Sequence, residues 1–285
     1  MTHYLSPKLD VVIKMIFEQN VALLGNFLLS VLDISEDDVE KITVLNPSAS
    51  LDYPDEKKSI MDIKVELKSG HRVNVEIQVR KMPGGEMVQR IHYYKARMVT
   101  EQLLSGNPYG AIVPTSCIMV LDYKMFEDNH CHHPFLFYDK KHDVEFSKYE
   151  NLHVIEIPKL EQAKSNQALW YWLRFFSATE KEEFDMLSSQ NEVMKQAVGV
   201  LAHLSADEKA RMLAEAREKE LRDQMSRERG AKEEGWLEGK LEGKLEGKLE
   251  GKLEAARNLL KLGISWDIIS KSTGIDEHEL RRLKH

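Results

Sequence analysis

The sequence predicts an α/β domain followed by a helical C-terminal extension, and three observations lead there. Apolar and polar residues alternate strictly over 60–79, broken only around Ser69-Gly70-His71, which reads as two antiparallel strands. Helical spacing flanks this hairpin on both sides, through Val11, Val12, Met15 and Ile16 before it and over residues 87–104 after it. An apolar run at 116–121 then supplies a buried strand. Helix, hairpin, helix and strand in that order make an α/β core.

Each element has a local cause. Ser6-Pro7 can open the first helix, because serine caps free amides and proline suits the first helical position. A second apolar helix fits 21–32, and Gly106 ends the helix after the hairpin. In the hairpin, Ile63, Val65 and Leu67 must share a buried face with Val73, Val75, Ile77 and Val79. A three-residue loop with Gly70 left-handed sets Ile63 opposite Ile77 or a near neighbour. That register places Asp62 opposite Gln78 and Lys64 opposite Glu76, all on the other face, so two carboxylates meet across one hairpin. The aromatic run at 170–176 reads as a core-packing helix. His130, Cys131, His132 and His133 read as a surface loop, because adjacent histidines splay apart and no zinc spacing is matched.

Composition removes several classes. The chain has 285 residues, 42% hydrophobic and 31% charged, so a packed core is expected rather than disorder. Forty Lys and Arg against 47 Asp and Glu give a net charge of -7, so nucleic-acid binding requires a local patch. Two cysteines exclude a disulfide scaffold and a four-cysteine zinc site. The N-terminus lacks a signal-peptide pattern and 18 apolar residues nowhere run together, so the expectation is a cytoplasmic protein without a membrane partner. Walker, dinucleotide-fingerprint and Gly-x-Ser-x-Gly motifs are absent.

Chemistry concentrates on Asp62 and Glu76-Ile77-Gln78. A hard divalent cation wants a few oxygen ligands and keeps several waters, which two carboxylates and the Ile77 carbonyl can satisfy. Gln78 projects on the same side, where its amide can position water or a phosphate oxygen, and Asp10 can add a third carboxylate. Alternation alone describes equally well the wet face of an amphipathic hairpin.

Several separate motifs occur together and in order: Lys8-Leu9-Asp10 leading to Lys14 and Phe17, Ile60-Met61-Asp62-Ile63, Val75-Glu76-Ile77-Gln78, and Arg90 followed by Tyr93-Tyr94. Over residues 5–180 this resembles the Rpn family of recombination-promoting nucleases and transposases, within the PD-(D/E)XK nuclease superfamily. The resemblance implies a restriction-endonuclease-like α/β core and a Mg²⁺-dependent DNA endonuclease, with Ca²⁺ or Mn²⁺ as other hard ions the site could take. Carried over, Asp62 and Glu76 are metal ligands, Asp10 matches the acidic position of the first helix, and Arg90 and Tyr94 lie on the helix that can hold a phosphate. Gln78 stands where much of the superfamily has lysine, exchanging a positive charge for a dipole.

The expected organisation is a nuclease-like domain at 1–180, a helical extension at 181–234, a linker at 235–252 and a small helical tail at 253–285. The linker holds four Leu-Glu-Gly-Lys units at 237–252, in which like charges face each other at i+4 and each glycine costs about 1 kcal/mol of helix stability. Such a tract is expected to be a flexible connector, or a helix only where its leucine stripe packs on a partner. The tail resembles a helix-turn-helix, with Leu259, Leu260, Ile264, Ile268, Ile269, Ile275 and Leu280 as its small core. DNA contact and self-association, as a homodimer through the C-terminal helices, are both expected there. Two other functions fit the sequence: a nuclease fold kept as an interaction or regulatory module, and an RNA nuclease.

Overall fold

Gly70 sets the central hairpin. In the computed structural model, which describes residues 4–45, 63–82, 85–103 and 106–282, Gly70 has φ 84° and ends a loop of Lys68, Ser69 and Gly70. The Leu67 N–H donates to the His71 carbonyl at 2.9 Å across that loop. Strands β2 (Ile63–Glu66) and β3 (Arg72–Gln78) therefore pair Ile63 with Val75 and Lys64 with Asn74. This corrects the expected register by two residues, because a three-residue loop puts its left-handed position last and not at its centre. An even shift keeps every side chain on its expected face. Lys64 opposes Asn74 rather than Glu76, and its ammonium pairs with Glu101. Asp62, expected opposite Gln78, lies outside the described residues.

The hairpin sits in a six-stranded mixed sheet completed by β1 (Thr43–Leu45), β4 (Thr115–Leu121), β5 (His132–Asp139) and β6 (Val144–Glu156), in the order β1-β2-β3-β4-β6-β5. β3, β4 and β6 run parallel, while β1 and β5 are antiparallel to their neighbours. Parallel neighbours require a crossover, and between β3 and β4 it includes α4 (Glu86–Thr100). Met87 and Ile91 of α4 pack with Cys117, Met119, Leu121 and Val154. That layer lies over the face shared by Asn74, Glu76 and Gln78, which pair in register with Cys117, Met119 and Leu121. Asn74 and Glu76 are fully buried, so the wet-face reading of the alternation does not hold.

On the other face, α1 (Asp10–Gln19) packs on β3, with α2 (Val21–Val31) and α5 (Gln167–Ser177) behind it. Phe17, Phe27, Trp172 and Phe176 form a ring cluster with neighbouring centroids 5.5 to 5.9 Å apart. The helix begins at Asp10 and not at Ser6, because the Ser6 carbonyl accepts the Leu9 N–H at 3.2 Å and closes a turn first. An acidic residue in the first turn suits the positive end of the helix dipole.

The chain divides into two compact units, one ending at Glu218 and the other starting at Lys219. The first takes in α6 (Lys181–Gln190) and α7 (Glu192–Ala206), which the sequence sets apart as an extension. α8 (Glu208–Lys261) includes the Leu-Glu-Gly-Lys units, whose four leucines are exposed. In the second unit Ala256, Ile269, Ile275 and Leu280 form the core beside α9 (Trp266–Thr273) and α10 (Glu277–Arg282), with Leu253, Leu259, Leu260 and Trp266 around it. Ile264 and Ile268, expected in that core, are exposed. Among the described residues no single helix is long and apolar enough to cross a membrane; α1 and α2 pass that test only as a pair bent by 112°, and they supply core residues.

Candidate active site

Glu76 is the centre of the candidate site. It lies near the C-terminal end of the parallel strand β3, the end of an α/β sheet where ligands are usually bound. Its Oε1 accepts a hydrogen bond from Arg90 Nη2 at 2.7 Å, while Oε2 is buried with no hydrogen-bond partner among the described residues. Burial pushes its carboxyl above the ordinary range against the opposing pull of the Arg90 charge and hydrogen bond, and the Asp10 carboxylate adds to the rise. The Cys117 thiol behind it is pushed up to about 12, by burial first and then by the Glu76 charge.

Arg90 reaches Glu76 because α4 lies across this face, and its guanidinium sits 5.0 Å from the centroid of the Tyr94 ring. Tyr94, one turn further along, is buried and orients Arg90 from below. Asp10 is brought to the same end of the sheet by the start of α1. Its carboxylate takes Arg217 Nε at 2.9 Å on Oδ1 and Arg217 Nη2 at 2.5 Å on Oδ2, so it is held by a residue of α8. Lys8 pairs with Asp122 at 2.7 Å, and the Asp122 N–H donates to the Gln78 carbonyl at 3.0 Å. These contacts tie the entry to α1 to the ends of β3 and β4. Gln78 itself is half-buried at the rim.

Two participants escape sequence reading. Tyr123, two residues past β4, has a buried hydroxyl with no partner among the described residues. Burial chiefly raises its pKa, opposed by Arg90 and reinforced by Glu156 and Glu76. Its position just beyond a parallel strand is the signal that could have marked it. Arg217 lies 207 residues from Asp10, and no local pattern announces that contact.

The donor set suits a hard cation. Glu76 offers a buried carboxylate oxygen without a hydrogen-bond partner among the described residues, a second carboxylate is close enough to perturb it, and each acid is paired with an arginine. No curated protein and no solved structure matches the chain. Residues 7–231 match the model of the family described as PD-(D/E)XK nuclease family transposase, and the chain belongs to that family.

Proposed function

We propose that the chain is a Mg²⁺-dependent DNA endonuclease that hydrolyses phosphodiester bonds and thereby promotes recombination. Glu76 Oε2, buried and without a hydrogen-bond partner among the described residues, carries the reading, because a carboxylate oxygen kept dry without a donor is costly unless a cation or proton meets it. Asp62 and Glu76 would hold the metal. In sequence Asp62 precedes Ile63, and Glu76 follows Val75, the residue paired with Ile63.

A bound Mg²⁺ supplies Lewis acidity and a more acidic water at that position. The side chains do the rest. Glu76 fixes its oxygen through the Arg90 bond, so the ligand atom needs little reorganisation. Gln78 at the rim orients water or a phosphate oxygen through its amide. Arg90, seated on Tyr94 and about one-third exposed, keeps part of its guanidinium available for a phosphate. Asp10 supplies negative potential near Glu76 and helps to hold the cation. Activity belongs in the cytoplasm, and self-association through the C-terminal helices would cover the exposed leucines 237, 241, 245 and 249.

The test is nicking of supercoiled plasmid with Mg²⁺ or with EDTA, beside folded Asp62→Ala and Glu76→Ala proteins and a paired RNA substrate. Metal-dependent DNA cutting lost in both variants is expected. Cutting that survives both substitutions places the chemistry elsewhere. Cutting of RNA alone moves the substrate class, and inert protein on both substrates leaves a nuclease fold used as an interaction module.

A further inference from the structure

The loop between β4 and β5 and the start of β5, where His132 and His133 lie in the strand and not in the expected surface loop, bring a second set of candidate ligands together. Across the sheet, the register Glu76–Met119–Val154–His133 puts His133 three strands from Glu76 on the same face, roughly 14 Å away at ordinary strand spacing. There Asp128, His130 and His133 each offer one ligand atom, all within 4.8 Å of one another. His133 Nε2 is 3.0 Å from both carboxylate oxygens of Asp128, and His130 Nδ1 is 3.3 Å from Asp128 Oδ1. We propose that Asp128, His130 and His133 bind a borderline divalent transition ion of the zinc type.

The outer contacts support this beyond the ligands themselves. A metal-bound imidazole normally turns its second ring nitrogen toward a carboxylate, which fixes its tautomer. His133 Nδ1 is buried, has no hydrogen-bond partner among the described residues, and lies 3.6 Å from Glu156 Oε2. Glu156 is fully buried and cannot swing away. The N–H groups of Met125 and Phe126 donate to its Oε1 at 2.5 and 3.2 Å, and Lys159 Nζ holds Oε2 at 2.6 Å. Among the described residues the charges paired at the site are the Asp128 and Glu156 carboxylates and the Lys159 ammonium, the last 3.7 Å from Asp128 Oδ1. With neutral imidazoles they sum to one negative charge, which favours a cation. Two imidazoles and one carboxylate suit zinc-class ions better than Mg²⁺. Exposure of Asp128 and His130 leaves room for water to complete the shell.

The neighbouring histidine and cysteine take no part. Cys131 is buried, and His132 stacks on His153 with ring centroids 5.1 Å apart. A bound ion would pin the loop after β4 to β5, and that loop carries Tyr123, whose hydroxyl feels the charges of Arg90 and Glu76.

The full chain, stripped with EDTA and held in excess Mg²⁺, is titrated with Zn²⁺ by calorimetry and with Co²⁺ by visible absorption. One Zn²⁺ per chain is expected, weakened about tenfold or more in His130→Ala and unchanged in Glu76→Gln. His130 is highly exposed, so this variant folds even where His133→Ala does not. The proposal is overturned by no binding, by equal binding in His130→Ala, or by loss in Glu76→Gln, which would put zinc at the nuclease centre.

Discussion

Replacing Arg90 with Met strands a buried carboxylate. The Glu76 side chain is 1% exposed, and its one charge-assisted bond among the described residues is the 2.7 Å contact to Arg90. Breaking a buried ion pair from one side costs about 3–5 kcal/mol. Arg90 is itself 32% exposed, so water reaches the vacated space and the lower end, about 3 kcal/mol, is expected. Glu76→Gln alone keeps an oxygen for Arg90 and removes the buried charge, so it changes stability by about 1 kcal/mol or less. The Arg90→Met loss should then shrink to about 1 kcal/mol in the Glu76→Gln background, a coupling of about 2 kcal/mol.

The pH dependence has a definite sign. Burial, the largest influence, raises the Glu76 carboxyl above its ordinary 4.5, so the folded chain keeps a proton that the unfolded chain has already released. Stability is fully present below the ordinary value and falls as pH rises through the folded one. Removing Arg90 raises the folded value further and deepens that fall. Urea unfolding in EDTA, followed by fluorescence of Trp170 and Trp172 in the first unit, measures both effects. A loss under about 0.5 kcal/mol, the level of an ordinary surface substitution, would refute the buried-pair account. So would a larger loss that ignores both pH and the Glu76→Gln background.

Two further outcomes follow from the backbone and from the histidines. Gly70→Ala should cost about 1–2 kcal/mol for its left-handed conformation alone, since among the described residues an added Cβ meets only Val113 Cγ1 at an ordinary 3.5 Å; unchanged urea stability would sink the loop assignment. His153 is lowered to about 4, by burial first and then by the His132 and His71 charges. Its stabilising contribution is therefore present above 6.5 and lost as pH falls from there toward 4. His153→Asn should flatten that acid limb, and NMR titration of the imidazole near 6.5 would contradict it.

Sequence patterning exposed what is local and even-numbered. The hairpin, its faces, the helices at 87–104 and 170–176 and the strand at 116–121 follow from periodicity, and the structure has corresponding elements. The expected register differs from the observed one by two because alternation is blind to an even shift, and only the position of Gly70 within its loop decides it. Burial of Asn74 and Glu76 was illegible for another reason: the alternation that marks a half-wet strand is the same whether or not a crossover helix lies on top. β5 and the first part of β6 carry exposed Phe135, Phe137, Tyr138 and Phe146, so no buried alternation betrays them. The Leu-Glu-Gly-Lys tract is helical with its leucines exposed, against the unfavourable charge spacing within it. Asp10 was legible as an acid near the site, while the arginine that holds it was not.

The two arginines divide the roles of the two acids. Arg217 engages both oxygens of Asp10, at 2.9 and 2.5 Å, and the Val11 N–H also donates to Oδ1 at 2.9 Å. A cation drawing on Asp10 must compete with each of these contacts. Arg90 engages one oxygen of Glu76 and leaves the other buried, with no hydrogen-bond partner among the described residues. A cation drawing on Glu76 therefore displaces nothing from Oε2 and relieves the cost of an unsatisfied buried charge. In the proposed metal centre Glu76 is thus the better ligand, and Asp10 would act chiefly through its charge, which adds to the rise of the Glu76 carboxyl.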